Sequence, residues 1–367
     1  MYFIFLLRFI YFISCISITE EKNRNQINYF SEIHMIIKGN GIQNILNDSF
    51  YVKPFEVFVN EIKKESCETF CDMEYEINNI TLIFKETLNS SETMFFGLDN
   101  ITEIDLSNFD FSQVTTMENM FKNCYNLEKI NFDNINTSSV INMKSLFYNC
   151  KKLISIDVSN FDTSLVTTMD GMFYNCINLL SINVSNFNTS KVESLRIFLY
   201  NCNKLKYIDI SKFDTSCVTN MLAMFYNCSN LSSIDLSNFN TLKVESFRSM
   251  FYNCSELVFL DVSNFNTSHS TNMELMFYNC SNLLSIDVSN FNILNVRTIR
   301  GLFYNCNKLT SLNISNFDTS MVTDMEFLFY NCSSLKYIDL SNFNIQNITS
   351  LHCLFYLCQN LTSLDIK

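Results

Sequence analysis

The chain has 367 residues, 47% of them hydrophobic, with a formal charge of −12 and a sequence pI near 4.8. That balance argues against a nucleic-acid binder, which needs clustered Lys and Arg to neutralise phosphates, and leaves cationic ligands, neutral sugars and basic protein patches. With Gly 5 and Pro 1, the turns fall to Asn, Asp and Ser, whose short side chains bond their own backbone.

Residues 1–18 form an apolar run broken only by Arg8, the pattern of a signal peptide cleaved after Ser17. A lipidation cysteine at Cys15 and a retained membrane anchor are the alternatives, the run being about as short as a spanning helix can be. Residues 19–90 read as a polar linker and a β-rich N-terminal cap: the runs around His34, from Phe55 and from Asn78 alternate apolar and polar residues with the period of strands. Cys67 and Cys71 in this segment are close enough to pair with each other or with a neighbour in the cap.

Residues 91–367 are a repeat array of one partial and ten full units of 26 residues. From Cys124 to Cys358 a cysteine recurs every 26 residues with no insertion or deletion, and Leu98 stands in its place in the first unit. A strict period in this range means a solenoid, each unit burying its apolar face only against its neighbours. In the unit KKLISIDVSNFDTSLVTTMDGMFYNC from Lys151, the first half places Leu153, Ile156 and Val158 on the inner face of a strand. The second half places Val166, Met169, Met172, Phe173 and Cys176 on one face of a short helix, with Thr163 or Ser164 as its N-cap. Asn175 then ends the helix and stacks as an amide ladder with its equivalents. The expected fold class is an α/β repeat solenoid, with a parallel sheet on one face, short helices on the other and no clear C-terminal cap. The column cysteines point the same way, so they read as buried thiols rather than disulfides; Cys217 and Cys353 occupy variable positions.

The words MFYNCSNLSSIDLSNFNT from Met224 and SIDVSNFDTSLVTTMDGMF from Ser155 resemble the repeat of the BspA-like leucine-rich-repeat surface proteins. The likeness covers about residues 94–367, with departures at Ile197-Phe198-Leu199 and at Ser270. It implies a secreted or surface-displayed protein, some bacterial members being adhesins for host proteins or other cells.

Along each strand the fifth position points away from the core and is mostly acidic, giving Asp157, Asp209, Asp235, Asp261, Asp287 and Asp339. These form a candidate binding face with Tyr207, Phe259 and Tyr337 at the third position. The competing reading is that each Asp only completes a turn. The tyrosine column Tyr148 to Tyr356 reads as a stacked structural ladder, and the Asn-x-Ser/Thr triplets, among them Asn188 and Asn266, as glycan acceptors in a eukaryotic secretory pathway. His34, His269 and His352 are scattered; there is no metal-ligand spacing, phosphate loop or nucleophile elbow. The expectation is therefore no catalytic residue, metal, cofactor or small-molecule substrate, and a protein or glycan as partner. The alternative to recognition is a structural protein that self-associates by stacking through its C-terminal end.

Overall fold

The structure, a computed structural model, describes residues 31–365. The signal peptide expected at 1–18 lies outside the described residues. Six strands come first: β1 (Ser31–Lys38), β2 (Gly41–Asn44), β3 (Glu56–Val59), β4 (Ile62–Lys64), β5 (Phe70–Met73) and β6 (Ile77–Phe84). On β1 the burial alternates, with Ile33, Met35 and Ile37 inward. The strand pairs antiparallel with β6 on one side and with β7 (Ile101–Asp105) on the other, while β7 pairs parallel with β8 (Lys129–Asn131). The N-terminal sheet, in order β4-β3-β6-β1-β7-β8, thus runs straight into the repeats and saturates the free edge of β7. Asn47 does the same on the other side of the first unit, its N–H donating to the Met94 carbonyl at 2.9 Å and its amide to that of Phe96 at 2.8 Å. Cys67 and Cys71 are bridged by a disulfide with Cα atoms 5.0 Å apart.

Each repeat then forms one coil, stacked on the last. The inward residues from all coils make one continuous core in which Phe121, Phe147 and Phe173 stack face to face, 5.7 Å and 5.4 Å apart. In the departing unit Leu199 takes the Phe position and Phe198 the Met position, and Phe198 meets Phe173 edge-on. The coil keeps its apolar volume by exchanging the two places.

The expected helices are absent: no helix occurs among the described residues. The apolar face was read correctly, since Val166, Met169, Met172, Phe173 and Cys176 are all fully buried. The backbone beneath it is a run of overlapping turns. Met120, Lys122 and Cys124 donate to the carbonyls of Met117, Asn119 and Phe121, three residues back. The residues between them donate across to the next coil: Asn119 to Lys144, Phe121 to Leu146 and Asn123 to Tyr148. A helix would spend every N–H within its own segment; this run spends alternate ones on its neighbour. The geometry needs two left-handed residues per coil, four apart, such as Gly171 (φ +58°) with Asn175 (φ +59°). Asn and Gly supply that conformation cheaply and are poor helix formers.

With no helix to cap, Thr163 has another role. Its hydroxyl, 1% exposed, donates to the Asn188 carbonyl at 3.0 Å and accepts the Asn188 N–H at 2.8 Å. Thr215, Thr241, Thr267 and Thr319 repeat this link with Asn240, Asn266, Asn292 and Asn344.

The expected parallel sheet is only partly formed. Beyond β7–β8, the repeats pair as β9 (Ser155–Asp157) with β10 (Ser181–Asn183) and β11 (Tyr337–Asp339) with β12 (Ser363–Asp365). Between Asn183 and Tyr337 the strand side keeps a single bridge, Phe259 with Ser285. On the turn side a parallel bridge joins every coil to the next, from Ser90 to Ser350. Ring centroids in successive coils also lie at different separations in the different columns. They are 4.2 Å apart at Tyr200–Tyr226, 5.5 Å at Phe225–Phe251 in the core, and 6.5 Å at Phe187–Phe213 beyond the strand. Strand pairing needs about 4.8 Å. The coils are therefore joined continuously along their turn runs, and the strand side is the more open of the two.

Candidate functional site

Strand alternation turns the third and fifth residues of each coil outward, and the second, just before the strand, is exposed as well. Asp157, Asp235, Asp261 and Asp287 are exposed, and Asp209 and Asp339 are half-exposed. One oxygen of each carboxylate closes a turn, accepting the N–H of the Ser two residues on: 2.9 Å from Ser159 to Asp157, 2.9 Å from Ser237 to Asp235 and 2.8 Å from Ser341 to Asp339. The Ser hydroxyl and then the N–H hold Asp157, Asp209, Asp261 and Asp287 below the usual carboxylate range, and at Asp235 the N–H leads. These five carboxylates thus complete their turns and stay charged at neutral pH.

Of the six, Asp209, Asp235, Asp261 and Asp287 lie on four consecutive coils; Asn183 separates them from Asp157, and Asn313 from Asp339. Tyr207, Phe259 and Tyr337 are 56%, 65% and 45% exposed. Phe259 stands above the middle of the acidic run, with Tyr207 two coils before it and Tyr337 three coils after. Sequence reasoning missed Val258 and Leu284, 37% and 39% exposed beside Phe259. Their signal was an aliphatic residue at the outward second strand position, where Lys206, Ser232 and Thr310 also fall.

The remaining columns are structural. Every column cysteine from Cys124 to Cys358 donates its S–H to a carbonyl of the preceding coil, for example Cys150 to Phe121 at 3.2 Å and Cys176 to Phe147 at 3.1 Å. Burial raises the Cys176, Cys228 and Cys280 thiols to about 12, the reverse of what a thiolate nucleophile requires. The asparagines form a ladder in which Asn149 donates to Asn123 at 2.8 Å, Asn175 to Asn149 at 2.6 Å, and so on to Asn331. The tyrosines stack from Tyr148 to Tyr356, and Lys122, in the same column, sits 4.9 Å over the Tyr148 ring.

The family model described as "Mycoplasma protein of unknown function, DUF285" matches residues 89–206, 177–286 and 281–367. The chain belongs to this family. No curated protein matches it. Among solved structures, the DUF285 chain is similar to a leucine-rich cell surface protein from Faecalibacterium prausnitzii, at 16% identity over 73% of this chain and 83% of that one, with a TM-score of 0.34. It is also similar to a leucine-rich-repeat protein from Eubacterium ventriosum, at 20% identity over 74% of this chain and 76% of that one, with a TM-score of 0.33. Among the described residues of the DUF285 chain, no helix is long and apolar enough to cross a membrane and no cluster of His, Cys, Asp and Glu is placed to hold a metal ion.

Proposed function

We propose that this DUF285 protein is a secreted or cell-surface leucine-rich-repeat protein of the BspA-like kind, and that it recognises other proteins through its strand face. In this reading residues 1–18 direct export and the N-terminal sheet acts as a cap that keeps the first coil soluble. The observation that carries it is the middle of the strand face. There Val258, Phe259 and Leu284 are exposed side by side, next to Asp235, Asp261 and Asp287, and the nearest cations at the same strand position are Lys206 and Lys336. An apolar centre with charges at its margin is the anatomy of a protein interface, and aromatic anchors carry most of the binding energy in such patches. The turn hydrogen bonds of the aspartates suit this role, because they present the charges in fixed positions.

The test is to present the full chain on a cell surface and measure its binding to immobilised matrix proteins and to whole cells. Phe259→Ala should weaken binding by about tenfold or more, as expected for an anchor. Changing Asp235, Asp261 and Asp287 to Asn should lower the association rate and its dependence on salt. Binding that is unaffected by both sets would remove the strand face as the site.

A further inference from the structure

Towards the C-terminal end of the open stretch of the strand side, the face sinks into a concavity of about 550 Å³, within the range of small-ligand sites. Its floor is apolar, Ile286 and Leu312 being buried. Its walls are polar and carry groups of both hydrogen-bonding senses: the carboxylates of Asp287 and Asp339, the amide of Asn313, and the hydroxyls of Thr310 and Ser311. Tyr337 forms one side and is held in place, its hydroxyl donating to Asp365 at 2.8 Å. The backbone adds to this set. Where strands pair at either end of the array, Leu106 donates to Asn131 and Leu340 to Asp365, whereas the N–H and C=O groups of Ser311 and Asn313 have no partner among the described residues. Asn313 accepts from Ser315 through Oδ1, at 3.2 Å from the N–H and 2.8 Å from the hydroxyl, which leaves its Nδ2 directed to no protein acceptor.

We infer that this concavity binds a neutral or N-acetylated saccharide unit. Such a ring offers alternating hydroxyl donors and acceptors on its rim and an apolar C–H face. The first match the mixed amide, carboxylate and free backbone groups; the second matches a fixed aromatic ring whose other end is already hydrogen-bonded. A polyanionic chain is excluded by Asp287 and Asp339, and an apolar ligand would leave the wall groups unpaired at a cost for each. The break in the acidic column supports the assignment: an aspartate at 313 would bring a third carboxylate into the same recess, and Asn brings a donor instead. The inference goes beyond the protein-recognition reading and shares Asp287 with it, but not its aromatic anchor, since Phe259 does not line the concavity.

The experiment is a calorimetric and NMR titration of the full chain with cellotetraose, maltotetraose and chitotetraose, and with heparin as the sulfated control. At least one uncharged probe is expected to saturate at about millimolar concentration or below, with heparin silent. Tyr337→Ala and Asn313→Ala should each weaken that binding about tenfold, because they remove the aromatic ring and the amide donor that face the ligand. Tyr337→Phe, which keeps the ring, should retain most of it, and Phe259→Ala should leave it unchanged while weakening any protein binding. All three positions are exposed, and retained dichroism of the stacked tyrosines identifies folded variants. The inference is overturned if no uncharged probe binds at about 10 mM, if heparin alone binds, if binding survives both Tyr337→Ala and Asn313→Ala, or if it depends on Phe259 instead.

Discussion

Substitution of Asn227 separates the two contributions that hold the turn runs together. Its amide donates to Asn201, and its oxygen accepts from Asn253, in the middle of the ladder. Its backbone is left-handed, at φ +56°. Asn227→Ala removes two side-chain hydrogen bonds, each worth about 1 kcal/mol net. It also places a Cβ-bearing residue with no local hydrogen bond in the left-handed region, for about 1 kcal/mol more. The expected loss is about 3 kcal/mol for Ala and about 2 kcal/mol for Gly, which removes the bonds but not the conformation. Asn227→Asp can accept from Asn253 but cannot donate to Asn201, so its cost should shrink as the pH falls towards about 4 and the new carboxyl regains a proton. Urea unfolding followed by tyrosine dichroism is a direct readout, because Tyr226 and Tyr252 stack at 4.3 Å one residue away. Equal effects of Ala and Gly would refute the conformational part. Losses under about 0.5 kcal/mol for both would refute the ladder as a source of stability.

Leu357 occupies the Asn position of the last coil with φ +64° and is 40% exposed; Leu357→Asn should stabilise by about 1–2 kcal/mol, seen as a higher urea midpoint, by relieving strain and donating to Asn331. Gly301 and Gly171 are both left-handed, but a Cβ on Gly301 would lie 2.7 Å from Leu275 Cδ2, against 3.5 Å from Ile197 for Gly171. Gly301→Ala should therefore cost more than the about 1 kcal/mol of Gly171→Ala, and the excess should vanish in combination with Leu275→Ala. The column thiols have folded pKa values raised by burial above the ordinary 9.0, to about 12 at Cys176, Cys228 and Cys280. Their stabilisation is complete below pH 9.0 and is lost as the pH rises towards about 12, so unfolding midpoints should fall steeply across that window and not below it. In the native chain iodoacetamide should label Cys217 and Cys353, which are partly exposed, well before the buried series Cys124–Cys332; mass mapping of peptides checks this, and early labelling of Cys228 would contradict it.

The sequence by itself determined the solenoid, its period and its buried columns. A residue repeated every 26 positions meets its own copy in the next coil, so Phe stacks on Phe, Asn bonds Asn and Tyr lies on Tyr whatever the backbone does between them. The acidic strand column was legible for the same reason, and the aliphatics at 258 and 284 were visible to the same reasoning had it been applied to the second strand position. What it did not determine was the backbone of the second half of each unit. Val166, Met169, Met172, Phe173 and Cys176 have a spacing that a helix and a run of turns bury equally well, and only the partner of each N–H distinguishes them. That partner is in the next coil, supplied by stacking. Tertiary structure likewise decided where the coils pair: hydrogen bonds join every coil to the next across the turn runs, while most of the strand side is left open and unpaired. The concavity beside Tyr337 lies on that open side, out of reach of any reading that takes the repeats one at a time.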